Sequence, residues 1–113
     1  MGSFMAGALD LLQGTLDLLV LRTLGWGPMH GYTVARLIKE RSSNVFLVEE
    51  GALYPALHRL ERKGWIESEW GLSENKRKAK FYQLTTRGRA ALRSELAEWN
   101  RYTKAVAGVL QPV

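Results

Sequence analysis

Residues 51–64 read GALYPALHRLERKG, from Gly51 to Gly64. Wound as a helix at roughly 100° per residue, this segment gathers Leu53, Ala56, Leu57 and Leu60 on one side. Pro55, His58 and Arg62 fall on the other, with Tyr54 and Arg59 on the flanks. The pattern predicts a short helix with an apolar back and a front of aromatic, imidazole and guanidinium groups. Such a front can hydrogen-bond to phosphates and base edges in a major groove. An ordinary amphipathic surface helix has the same pattern, so its neighbours must decide. Pro55 is expected near the helix start, where backbone donors lack partners and its missing N–H is tolerated.

Upstream, Ala8 to Leu24 (ALDLLQGTLDLLVLRTL) predicts a helix with two apolar faces. Leu9, Leu12, Leu16 and Leu19 mark one; Leu11, Leu18, Leu21 and Leu24 mark the other. A helix apolar on both sides must be covered on both. In so short a chain, either one face meets another subunit or the helix is the centre of a single-chain core. Gly25 to Met29 (GWGPM) reads as a turn. His30 to Arg41 predicts a second helix with Val34, Leu37 and Ile38 inward, ended by Ser42 to Asn44. Phe46, Leu47 and Val48 then form an extended connection.

Downstream, Gly64 closes the central helix. Trp65 to Trp70 (WIESEW) and Lys80 to Leu84 (KFYQL) alternate with period two, and Gly71 to Lys78 between them is polar and turn-rich. The pair predicts a β-hairpin with a basic tip. Thr85 is the expected N-cap of a last helix. There Leu92, Leu96, Trp99, Thr103, Val106 and Leu110 form a heptad seam with one polar break. A terminal helix with such a seam needs a partner, either the first helix or its own copy.

The charge is uneven along the 113 residues. The chain carries a formal charge of +5 and a sequence pI of about 9.8. Residues 1–50 sum to −1 and residues 51–113 to +6. The basic part begins with the central helix, as expected of an electrostatic footprint for nucleic acid. There is no cysteine, which excludes disulfides and thiolate metal sites and fits a reducing cytoplasm. His30 and His58 stand on different helices without carboxylates at ligand spacing, so no metal or cofactor is expected. No nucleophile–base pair or phosphate-cradling glycine loop is legible, so the chain does not read as an enzyme. No apolar run reaches the roughly 18 residues of a membrane span, and no basic segment precedes an apolar one at the N-terminus. These features read as cytoplasmic.

Three helices, a basic hairpin and a long last helix make a mainly α chain with a small β-hairpin (α+β), the winged helix-turn-helix plan. LLQGTLDLLVLRTL (Leu11 to Leu24), GPMHGY (Gly27 to Tyr32), GALYPALHRLERKGWIESEW (Gly51 to Trp70) and YQLTTRGRAAL (Tyr82 to Leu92) together resemble the PadR-like transcriptional regulators. The likeness covers most of residues 9–100. It is nearest to short-tailed members with a single C-terminal helix, and the first helix is similar to an acidobacterial-type branch. The resemblance implies a homodimeric regulator of transcription, usually a repressor, on an inverted-repeat operator in double-stranded DNA. Residues 1–85 would form the DNA-binding winged helix and residues 86–113 the dimerisation helix.

By position, the resemblance makes Ala52 to Lys63 the recognition helix. The DNA-facing set is then His30, Tyr32, Tyr54, Pro55, His58, Arg59 and Arg62, with Lys76, Arg77, Lys78 and Lys80 on the wing. Arg59 and Arg62 are candidates for base readout or for phosphate contact. Tyr54 either touches DNA or packs under the wing. The dimer set is Leu9, Leu12, Leu16 and Leu19 with Leu92, Leu96, Trp99, Thr103, Val106 and Leu110. Trp99 is either plain dimer core or the platform on which multidrug-sensing relatives stack a planar aromatic effector. Trp26, Trp65 and Trp70 read as structural. Position 52 is alanine where the family commonly has threonine or serine, and Ser73 to Asn75 replaces a glycine-rich wing tip. Two other classes stay open: a winged-helix protein-interaction module, and a small-molecule sensor.

Overall fold

The computed structural model describes residues 12–113. Its elements in chain order are α1 (Gln13–Leu24), β1 (Met29–His30), α2 (Gly31–Arg41), α3 (Glu50–Arg62), β2 (Ile66–Leu72), β3 (Lys78–Leu84) and α4 (Thr86–Leu110). The expected helical start at Ala8, with Leu9 and Leu11, lies outside the described residues.

α1 is the centre of the core. Leu16, Leu18, Val20, Leu21 and Leu24 are all buried, joined by Val34 and Ile38 of α2 and by Leu53, Ala56, Leu57 and Leu60 of α3. Ile66, Tyr82, Leu84 and Leu92 close the core from the sheet and α4. The two-sided apolar pattern of α1 is therefore satisfied largely inside one chain. Leu16 and Leu92, expected at a subunit interface, are instead part of this chain's own core and have almost no surface left to give a partner.

The sheet has three strands in the order β1-β3-β2, not the two of a hairpin. Met29 pairs with Tyr82 and His30 with Phe81, so His30 belongs to a strand and α2 begins one residue later. A two-residue strand has no alternation to betray it, and its partner lies some fifty residues downstream. The hairpin runs from Ile66↔Leu84 to Leu72↔Lys78. It extends two residues further toward the tip on each strand than the alternation suggests. The connecting loop is correspondingly short.

The helix ends follow local chemistry. α3 closes in a Schellman motif: the Trp65 N–H donates to the Leu60 carbonyl at 3.1 Å and the Gly64 N–H to that of Glu61 at 2.9 Å. Gly64 has the left-handed φ of +75° that this closure requires. Thr85 caps α4 as expected, its hydroxyl oxygen accepting from the Gly88 N–H at 3.0 Å while its O–H donates to the Gly64 carbonyl at 2.7 Å. α4 thus starts directly on the turn that ends α3. Gly88 makes that approach sterically feasible, since a Cβ there would lie 1.8 Å from the Trp65 carbonyl oxygen.

Pro55 departs from expectation. Because α3 begins at Glu50, the proline sits inside the helix, past the partnerless donors of the first turn. It deprives the Gly51 carbonyl of its helical donor. Gly51 is exposed, which leaves that carbonyl to water.

Candidate nucleic-acid interface

α3 presents the two sides that its sequence implies. Leu53, Ala56, Leu57 and Leu60 are fully packed, while Tyr54, Pro55, His58 and Arg62 are exposed on the outside. At roughly 25 cal/mol per Å² of apolar surface removed from water, four such side chains are ample to seat a short helix. The helix needs no side-chain cap at its N-terminus: Ala52 and Leu53 donate to the Glu49 carbonyl at 3.0 and 2.9 Å. The carboxylate of Glu50 complements the dipole in the first turn.

Arg59 is not part of the outer front. Its Nε donates to Asp17 Oδ2 at 3.0 Å and its Nη2 to Oδ1 at 2.7 Å, a fork between α3 and α1. The two side chains are only 22% and 13% exposed. The hydrogen bond with Asp17 raises the Arg59 pKa above its ordinary value, against the opposing effect of burial. A helical wheel puts Arg59 on the flank of the front; Asp17 on α1 draws its side chain away from that front. The guanidinium is therefore spent on an internal contact rather than offered to a base.

The remaining expected residues divide by surroundings. His30 is half-buried, its ring edge-on to Phe81 at 5.6 Å between centroids and its Nε2 3.1 Å from Thr33 Oγ1. Tyr32 is exposed beside it, 6.1 Å away. Tyr54 packs against the start of α2. One side of its ring lies close to Gly31 at the start of α2, near enough that an added Cβ there would be 3.4 Å from the phenol oxygen, while the ring stays partly open to solvent. His58 is exposed with its Nδ1 3.9 Å from Glu61 Oε1; the other oxygen of Glu61 accepts from Ser68 Oγ at 2.9 Å. Ser68 thereby ties the sheet to α3. Burial first, then the charges of Glu61 and Tyr54, pushes the Tyr82 phenol above its usual range.

The wing tip is built without glycine. The Lys76 N–H donates to the Ser73 carbonyl and the Ser73 N–H to the Arg77 carbonyl, both at 2.8 Å. Lys76 itself takes the left-handed φ of +57°. This is the three-residue hairpin turn with its bulge position occupied by lysine rather than glycine. Lys76, Arg77 and Lys78 are exposed and Lys80 is half-buried. Trp70, read as structural from sequence, is instead exposed, with Lys78 Nζ 5.2 Å from its ring centroid.

Past Leu96, α4 leaves the body of the chain, and the longest dimension reaches 56 Å. The seam is progressively less covered along its length: Leu92 is buried, Leu96 half-buried, Trp99 and Val106 partly open and Leu110 exposed. Thr103, the polar break, donates its hydroxyl to the Trp99 carbonyl at 3.0 Å and so needs no partner across the seam. Trp99 and Tyr102 lie 6.1 Å apart at 36°. Leu12, the N-cap of α1, is exposed, and Leu19 within α1 is half-buried.

A helix with a packed back and polar front, following α2 and backed by a basic three-stranded wing, is a winged helix-turn-helix. The family model for PadR-like transcriptional regulators matches residues 20–94. The chain belongs to the PadR-like family. A transcriptional regulator of Mycobacterium tuberculosis is 35% identical over 99 residues, covering 88% of this chain and 89% of that protein. A solved PadR-family regulator from Eggerthella lenta is 32% identical with a TM-score of 0.75, covering 89% of this chain and 86% of its own. A transcriptional regulator from Clostridium thermocellum superposes with a TM-score of 0.80 at 27% identity, over 91% of this chain and 100% of the other. Membership makes this PadR-like chain a DNA-binding regulator of transcription and not an enzyme. Among the described residues no helix is long and apolar enough to cross a membrane, and no group of three or more His, Asp or Glu is placed to hold a metal.

Proposed function

We propose that this PadR-like chain acts in the cytoplasm as a homodimeric repressor of an inverted-repeat operator. Each subunit places Tyr54, Pro55, His58 and Arg62 of α3 in a major groove. Lys76, Arg77, Lys78 and Lys80 hold the flanking backbone, with Tyr32 near the phosphates at the start of α2. The observation that carries this reading is the division of α3: Leu53, Ala56, Leu57 and Leu60 are spent on the core, and Tyr54, Pro55, His58 and Arg62 face out beside a basic wing.

In this reading residues 86–113 form the dimerisation element. The uncovered seam of Leu96, Trp99, Val106 and Leu110, together with Leu12 and Leu19, supports a second copy as its cover. Dimer symmetry would place the two α3 helices about 34 Å apart, one turn of B-DNA. Thr103 stands on the same seam with its hydroxyl already satisfied. The partly open pair of Trp99 and Tyr102 supports a planar aromatic effector between subunits, which would release DNA by turning one α3 against the other.

The test is binding of the purified chain to the DNA upstream of its own gene, near physiological salt, with excess unrelated duplex. A discrete, competitor-resistant complex of one dimer per site is expected, and its footprint defines the operator. Binding that vanishes under competitor leaves only the non-specific phosphate attraction and refutes operator recognition. Sedimentation of the free protein checks the dimer, and a monomer at micromolar concentration refutes it.

A further inference from the structure

The wing carries an exposed apolar pair that no core contact explains. Trp70 is 61% exposed and Leu72 70% exposed. Strand alternation puts both on one face of β2, and their cross-strand partners on that face are Lys80 and Lys78. One step inward the same face carries Ser68 opposite Tyr82, with Ser68 bonded to Glu61 of α3. The face that seats the wing on α3 therefore continues outward, beyond the body, as Trp70, Leu72 and two lysines. Glu67 and Glu69 point to the opposite face with Gln83 and Phe81.

We propose that Trp70 and Leu72 are a minor-groove wedge that makes the wing prefer A·T pairs beside the site read by α3. This rests on the DNA-binding reading of α3 and adds a second determinant of specificity to it. Complementarity of charge names the occupant: Lys76 and Arg77 at the tip and Lys78 and Lys80 on the flanks outweigh the single carboxylate of the tip, Glu74, so a polyanion is favoured around an apolar centre. The minor groove of A·T pairs shows only acceptors, adenine N3 and thymine O2, whereas guanine adds an N2 amino donor. The indole N–H and the lysine ammoniums are donors, and the side chains of Trp70 and Leu72 offer no acceptor. The nearby carboxylate on this face, Glu61, is already engaged by Ser68. A guanine amino group pressed against this surface would lose its water without gaining a partner, which is costly. Apolar side chains entering the minor groove also unstack base steps, most easily where stacking is weak.

The experiment titrates the full chain with three synthetic duplexes of alternating A·T, alternating G·C and alternating I·C pairs at low salt. Anisotropy of the labelled duplex and intrinsic tryptophan fluorescence are both followed. Inosine lacks the 2-amino group, so I·C has the minor-groove pattern of A·T with a major groove like that of G·C. The wild type is expected to bind A·T and I·C alike and G·C about tenfold more weakly, the discrimination typical of one base pair. Trp70→Phe should lose most of the DNA-induced fluorescence change, although it removes only one of four tryptophans. Trp70→Ala combined with Leu72→Ser should bind all three duplexes equally while keeping the wild-type melting temperature, since both side chains are solvent-exposed. The proposal is overturned if the double variant keeps the A·T preference, if I·C follows G·C, or if Trp70→Phe leaves the fluorescence change intact. A wild type that binds the three duplexes equally overturns the wedge alone. One that binds none of them overturns the DNA-binding reading with it.

Discussion

Replacing Arg59 separates an internal tie from a DNA contact. In Arg59→Ala the Asp17 carboxylate, 13% exposed, loses both hydrogen bonds of the fork. Breaking a fully buried ion pair by removing one partner costs roughly 3–5 kcal/mol, and exposed pairs contribute about 0–1. With side chains about one-fifth and one-eighth open to solvent, the expected loss lies between, at about 2 kcal/mol. For a domain of this size that lowers Tm by on the order of 10 °C. Asp17→Ala should cost less, because the long Arg59 side chain can swing its charge into water whereas Asp17, on the core helix, cannot. The double variant should be no less stable than Arg59→Ala, a coupling that only contacting residues give. Thermal unfolding followed by circular dichroism at one fixed protein concentration reads all four proteins, with DNA affinity measured in parallel. The reasoning fails if Arg59→Ala keeps the wild-type Tm yet loses sequence-specific binding. Arg59 would then be a base reader, and the fork with Asp17 would be incidental in solution.

Three further outcomes follow from the geometry. Gly88→Ala must push α4 off the Trp65 carbonyl, with the Thr85 cap bonded nearby, and should lower stability by roughly 1–3 kcal/mol in chemical denaturation. A neutral result would mean that α4 starts elsewhere. Lys76→Gly relieves a left-handed backbone that costs a non-glycine residue about 1 kcal/mol, so it should raise Tm slightly. The same variant should reduce the slope of log affinity against log salt by about 0.9 if the lysine neutralises a phosphate. Tyr82 has a folded pKa raised above 10.0, chiefly by burial, so its contribution to stability is complete below that pH and is lost as pH rises through the folded value. Tyr82→Phe should therefore flatten the alkaline decline in Tm above pH 10, and an unchanged alkaline arm would refute that assignment.

Much of the candidate interface was legible from periodicity and capping. The apolar back of α3, the Gly64 stop, the Thr85 cap and the basic tip all depend on neighbours within a few residues, and sequence order alone puts those together. The exposed front of Tyr54, Pro55, His58 and Arg62 follows from the same helical wheel. Arg59 does not, because its partner stands 42 residues away on α1 and the wheel gives only its angle. Trp70 was misread for a related reason. Alternation says which face of β2 it shares, but whether anything covers that face depends on how far α3 reaches along the sheet.

The chain by itself determined its helices, its hairpin, their order and its family, because those rest on local propensity, on period and on motifs in sequence. Tertiary structure alone decided the third strand, the loss of Leu16 and Leu92 to the chain's own core, and the division of arginines between ion pair and surface. Each of these is a competition for one partner among segments distant in sequence. Its outcome depends on the distances and free surface that folding creates. A pattern of residue types records what each side chain wants, and the packed arrangement settles which of them receives it.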